Sequence, residues 1–122
     1  MVKLVFCLQR LPHLSREEFQ RYWREQHAPL VTAHAARLGI RRYVQAHTVE
    51  HPIAQGAAAA RGAPEPYDGV AELWFDAQEL LERIQTEGGV EAARALLEDE
   101  RRFLDLKHSP IFCAEDHVVL GG

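Results

Sequence analysis

The chain has 122 residues, with 14 basic and 18 acidic side chains for a formal net charge of −4, 47% hydrophobic content and 26% charged content. This fits a single globular domain spanning residues 1–122 with one core. It argues against a nucleic-acid binder built on a concentrated positive face, since Arg41-Arg42 and Arg101-Arg102 are only pairs. No apolar run approaches the ~18–20 residues that a membrane-spanning helix needs, so no membrane partner is expected.

Residues 2–9 are apolar and β-rich and predict a first strand. The run is too short and too poorly flanked for a signal peptide, so a cytoplasmic location is expected. In that compartment Cys7 and Cys113 are expected to be reduced and buried. Ser15-Arg-Glu-Glu18 has the spacing of a capping box and opens a helix that runs to about Leu38, with Gly39 as its C-terminal cap. Within it Phe19, Trp23, His27 and Leu30 fall on one stripe, which points an imidazole at the core. Pro29 removes a helical hydrogen bond and predicts a bend beside that histidine.

Ile40 to Val49 predicts a second strand. Residues 50–66, with Gly56, Gly62, Pro64, Pro66 and the Ala57–Ala60 run, predict a long mobile loop in which the alanines add one helical turn at most. Val70 to Phe75 predicts a third strand. Asp76-Ala-Gln-Glu79 repeats the capping logic before a short helix, and Gly88-Gly89 is expected to interrupt the helical run. Val90 to Leu106 predicts an amphipathic helix with Ala93, Leu96, Leu97, Phe103 and Leu104 as its apolar stripe. Ile111 to Leu120 predicts the last strand. The order β-α-β-β-α-β is that of an α+β, ferredoxin-like fold: a four-stranded antiparallel sheet with helices on one face.

Alternation along the strands divides the two sheet faces. Giving the helices the most apolar set leaves Val5, Cys7, Gln9, Tyr43, Gln45, His47, Val70, Glu72, Trp74, His117 and Val119 on the other. That second face is too apolar for water and suits a homodimer pairing sheet to sheet.

The residues also resemble a known family. Leu14-Ser15-x-x-Glu18-Phe19-x-x-Tyr22-Trp23-x-x-x-His27-x-Pro29-Leu30 is similar to the EthD family. So are Arg42-Tyr43-x-Gln45, Tyr67-Asp68-Gly69-Val70-Ala71-Glu72-Leu73-Trp74-Phe75, Asp99-Glu100-x-x-Phe103-Leu104-Asp105 and Glu115-Asp116-His117-Val118-Val119-Leu120. The resemblance implies a dimeric α/β barrel in a superfamily of aromatic polyketide cyclases, muconolactone isomerases and cofactor-independent monooxygenases. It implies a small-molecule cavity inside each protomer, beside Phe6, His27, Leu73 and Phe103.

His27 is the candidate general acid or base, because imidazole exchanges protons near neutral pH. A structural role, bonded to a backbone carbonyl near the Pro29 bend, competes with it. Phe6, Trp23, Tyr43, Gln45, Leu73, Trp74 and Phe103 are the candidate substrate contacts. For Tyr43 and Gln45 the competing role is a hydrogen-bond network across the dimer, and for Trp74 it is packing. The histidines lack metal-ligand spacing and no phosphate-binding glycine loop occurs, so neither metal nor cofactor is expected. The function expected is proton-transfer chemistry (cyclisation, dehydration or isomerisation) on a small aromatic or polyketide-like carbonyl compound. Cofactor-independent oxygenation of a phenol and non-catalytic binding of a small molecule are the alternatives.

Overall fold

A computed structural model describes all residues, 1–122. Four strands, β1 (Val2–Leu8), β2 (Arg42–His47), β3 (Gly69–Phe75) and β4 (Ile111–Ala114), form one antiparallel sheet in the order β2-β3-β1-β4. Helix α1 (Arg16–Tyr22), a π-helical turn (Trp23–His27) and α2 (Ala28–Leu38) form a continuous rod between β1 and β2. Helices α4 (Ala77–Arg83) and α5 (Glu87–Glu100) connect β3 to β4. This is the ferredoxin-like α+β topology, with an open sheet whose edges are β2 and β4. No helix is long and apolar enough to cross a membrane.

The caps follow the local sequence. Ser15 Oγ accepts from the Glu18 amide while the Glu18 carboxylate accepts from the Ser15 amide, completing the capping box. Asp76 caps α4 at the Glu79 amide, and Gly39 closes α2 in a left-handed conformation. Gly88-Gly89 does not interrupt a helix as its composition suggests; both lie in the first turn of α5, capped by Thr86. A Cβ on Gly89 would sit 1.8 Å from the Arg83 carbonyl oxygen, so this glycine permits the tight α4–α5 junction.

Three boundaries differ from the sequence expectation. The segment 50–66 holds a full helix, α3 (Pro52–Arg61), in which the His51 ring accepts from the Ile53 amide and Gly62 supplies the left-handed cap. Good caps and an alanine run suffice for local helix, although α3 buries no residue. α5 ends at Glu100, so Phe103 and Leu104 reach the core from the turn that follows, with Leu104 bridged to Arg10. β4 stops at Ala114; Val118, Val119 and Leu120 are exposed, with no neighbouring strand to complete the expected extension. Cys113 is also exposed on this edge strand, while Cys7 is partly buried; both are free thiols.

The centre of the core is aromatic. Trp23, Phe19, Phe103 and Leu8 are fully buried, with Phe19 between Trp23 and Phe103 at ring separations of 5.8 and 5.5 Å. Each such side chain contributes roughly 1.5–3 kcal/mol on burial. Trp23 lies against Gly69, where an added Cβ would approach its ring to 2.5 Å. That absence of a side chain at the start of β3 sets how deeply the indole sits.

Candidate active site

Between the sheet and the helices lies a cavity of about 330 Å³, near the small end of the ~300–1,000 Å³ typical of ligand sites. Leu4, Phe6 and Leu73 come from the sheet, Trp23, His27 and Val31 from the helical rod, and Leu96, Leu97 and Glu100 from α5. Phe103 closes it from the following turn, and the exposed Ile84, Leu97 and Ile111 form its rim. His27, Tyr43 and Glu100 bring titratable groups to an otherwise apolar lining.

His27 is buried, and its orientation begins with the π-turn. Phe19, Trp23, His27 and Val31 are spaced by four and are all buried. In a regular α-helix each step of four drifts by about 40°; the wider turn takes back part of that drift, so one face serves all four residues. Val31, not Leu30, therefore continues the stripe. The same turn accommodates Pro29. The Ala28 amide donates to the Trp23 carbonyl, and Pro29 falls in the first turn of α2, where its missing donor is harmless. The expected bend is thus replaced by a local widening one turn earlier.

His27 Nδ1 lies 2.8 Å from Asp99 Oδ2 of α5, and Tyr22 donates its hydroxyl to Asp99 Oδ1 at 2.6 Å. The carboxylate accepts on both oxygens, which assigns the imidazole proton to Nδ1 and leaves Nε2 as the basic nitrogen. Burial lowers the His27 pKa, against an opposing pull from Asp99, so the ring is neutral at pH 7. The alternative structural partner, a backbone carbonyl near Pro29, is not used.

Tyr43, Gln45 and His47 lie on the helix side of the sheet, which reverses the face expected for them. The pairings Tyr43↔Leu73 and Gln45↔Ala71 put them with Leu4 and Phe6 of β1, whereas Val44 and Ala46 share the outer face with Glu72 and Val70. The physical reason is a polar demand on the inner side. Gln45 Nε2 donates to the Trp23 carbonyl of the π-turn at 3.0 Å and to the Tyr43 hydroxyl oxygen at 2.8 Å. His47 Nε2 meets Gln45 Oε1 at 2.8 Å, and its ring stacks on Trp23 at 4.5 Å. With its oxygen already accepting from Gln45, Tyr43 has its own proton free to donate. Burial raises its pKa despite the hydrogen bonds from Gln45 and Trp23, so it stays a phenol at neutral pH.

Phe6, Trp23, His27, Tyr43, Leu73 and Phe103 all line the cavity, and Gln45 stands behind Tyr43. Trp74 does not. It lies on the outer face with the Arg42 guanidinium 4.5 Å and Lys3 Nζ 5.3 Å from its ring centre, because β3 alternates it away from Leu73 and Phe75. Asp99 and Glu100 are functional candidates that the sequence reasoning passed over. Glu100 breaks the stripe of Ala93, Leu96, Leu97, Phe103 and Leu104 with a carboxyl. Burial, with the Asp99 charge adding to it, pushes its pKa up to about 7. No group of three or more His, Cys, Asp or Glu side chains is arranged to hold a metal ion.

The EthD domain model matches residues 11–107. The chain belongs to the EthD family. Within that match fall the π-turn, Tyr43, Asp99 and Glu100, so the cavity walls of this EthD protein are largely family sequence. Its fold is similar to that of an EthD family protein from Bacillus halodurans, with a TM-score of 0.62, 20% identity and coverage of 96% of this chain and 99% of the other. An EthD-like protein from Ralstonia eutropha gives a TM-score of 0.62 at 15% identity, covering 98% and 95%. SnoaB from Streptomyces nogalater, a cofactor-independent oxygenase, gives 0.53 at 16% identity, covering 99% and 97%. At these identities the likeness establishes the fold. No curated protein matches the sequence significantly.

Proposed function

We propose that this EthD protein binds a small, largely apolar phenolic or enolisable aromatic compound in its protomer cavity and activates it by removing a proton. The observation that carries this reading is the neutral imidazole of His27 on the wall of an apolar cavity, with Nδ1 committed to Asp99. Nε2 takes the proton; Asp99 then stabilises the imidazolium, and the Tyr43 hydroxyl donates to the oxyanion that forms. The resulting electron-rich anion reduces O₂ by one electron. Combination of the two radicals gives a substrate peroxide anion, which the His27 imidazolium protonates; the hydroperoxide then loses water, with the hydrogen of the oxidised carbon, and leaves a carbonyl there. The fold shared with SnoaB supports this oxygenase reading. A second reading, cyclisation, dehydration or isomerisation through the same anion, draws on the free Tyr43 proton as an enolate-stabilising donor.

A panel of naphthols, hydroquinones and anthrones tests the reading in an oxygen electrode, with ¹H NMR in D₂O run in parallel. Oxygen uptake that His27→Asn abolishes supports oxygenation. Deuterium incorporation or ring closure without oxygen uptake selects the second reading. Turnover that survives His27→Asn overturns both.

We also propose that two copies pair through the outer sheet face to form a dimeric barrel. That face carries Val5, Val70, Trp74 and Phe112 among Lys3, Arg42 and Glu72. Light scattering tests it, and a stable monomer at micromolar concentration overturns it.

A further inference from the structure

Glu100 is a cavity-lining group that the proton-transfer step above leaves unused. It is the last residue of α5, where the helix dipole already disfavours a negative charge. Asp99 precedes it, Tyr43 faces it from β2 and His27 shares its cavity; none of these is a cation at neutral pH. No lysine or arginine lines the cavity, and Glu100 has no ion-pair partner: Arg101 and Arg102, which follow it, are exposed. Its side chain makes no hydrogen bond within the protein, whereas the Asp99 carboxylate beside it is fully engaged by His27 and Tyr22. A residue needed only to fill space at this half-buried position would be served by leucine, without the desolvation cost that an unpaired carboxylate incurs in apolar surroundings. The unpartnered carboxyl is therefore matched to something that enters the cavity.

We infer that Glu100 selects an uncharged ligand, donating a hydrogen bond from its carboxylic acid to a carbonyl or hydroxyl oxygen and excluding carboxylate, sulfate or phosphate groups. The inference rests on the reading of the cavity as a ligand site and adds the class of ligand it takes. An anionic ligand would bring a second negative charge to a lining with no cation to receive it. A neutral acceptor pairs with the one carboxyl on the cavity lining, which makes no hydrogen bond within the protein. Glu100 and Tyr43 then supply two donors to the ligand, and His27 one acceptor, so a compound with two oxygen functions on an apolar body fits the lining.

Isothermal titration with 2-acetylnaphthalene and 2-naphthoate, two probes of similar size that differ in charge, tests this at about pH 6. The wild-type protein is expected to bind the ketone at least ~10-fold more tightly than the carboxylate. Glu100→Leu is expected to lose about tenfold in ketone affinity, the equivalent of one buried hydrogen bond. Glu100→Gln, which keeps the shape and an N–H donor, is expected to retain both the affinity and the preference. Equal binding of the two probes by the wild type, or undiminished ketone binding by Glu100→Leu, overturns the role of Glu100 and leaves the ligand site standing. A loss of ketone affinity in a folded Glu100→Gln overturns the donor role even where the leucine variant fails to fold. Failure of the wild type to bind either probe removes the ligand-site reading, and Glu100 with it.

Discussion

The two faces of the sheet handle charge in opposite ways. On the outer face Lys3 pairs with Glu72 and with Asp116, the latter at 2.7 Å, and Arg42 lies over Trp74. Every charge there has a neighbour of opposite sign or an aromatic ring. On the inner side Glu100, the only carboxyl on the cavity lining, meets no lysine or arginine there, and the imidazole that shares the cavity is held neutral. Compensation suits the face proposed above as the seam between two copies. Its absence leaves the Glu100 carboxyl able to hold a proton, because an internal cation would fix it in the ionised form.

The largest effect is expected at His27. Replacing it with Asn is expected to lower kcat by ~10²–10⁴-fold with a small change in KM, measured by steady-state turnover, while circular dichroism shows an intact fold. No outer-face substitution should do this; an equal loss from Lys3→Met would dissolve the contrast. Next come the two tryptophans. Trp23→Ala should cost about 3–5 kcal/mol in urea denaturation because it empties the centre of the core. Trp74→Ala should cost the single chain under about 1.5 kcal/mol and act mainly on self-association, followed by sedimentation.

Stability should also depend on pH differently on the two sides of the sheet. Glu100 has a folded pKa of about 7 against an ordinary 4.5, so the folded state binds the extra proton. Its contribution is fully present below about pH 4.5 and is lost as the pH rises through 7, by up to roughly 3 kcal/mol. Relative to wild type, Glu100→Gln should therefore gain stability as the pH rises, read from denaturation midpoints between about pH 4 and 8. His27, shifted downward by burial, works in the other direction, its contribution fading as the pH falls below 6.5 through its folded value. Asp116 on the outer face is lowered by the Lys3 hydrogen bond, so its support is present at neutral pH and disappears on acidification. The smallest effect expected is that of Tyr43→Phe, about a tenfold drop in kcat with about 1 kcal/mol of stability lost, since the Gln45 amide loses an acceptor.

Much of the fold was legible because β1 and β3 alternate cleanly. Leu4, Phe6 and Leu8, then Ala71, Leu73 and Phe75, can face only an apolar layer. β2 was misleading for a definite reason. A rule that sends Val44 and Ala46 inward assumes a purely apolar inner face. The carbonyl of Trp23 and the face of its indole required Gln45 and His47 instead, and only the pairing with β3 reveals that demand. His27 was visible as an imidazole on an apolar stripe. Its partner Asp99 is 72 residues away in sequence and emerges only when the rod packs on α5. Glu100 had a signal of its own: the stripe of Ala93, Leu96, Leu97, Phe103 and Leu104 is continuous only if position 100 is passed over.

The π-turn has a consequence for how this site can vary. A widened turn amounts to one surplus residue in an otherwise regular rod. Deleting any residue between Trp23 and His27 would leave three steps of ordinary winding, about 300°, where the widened turn brings His27 round nearly a full turn from Trp23, and so swing the imidazole away from the aromatic anchor. The aromatic anchor and the imidazole could then no longer address the sheet together. The length of this segment works as an angular setting, tolerant of many substitutions in its exposed Arg24, Glu25 and Gln26 but intolerant of a single change in count.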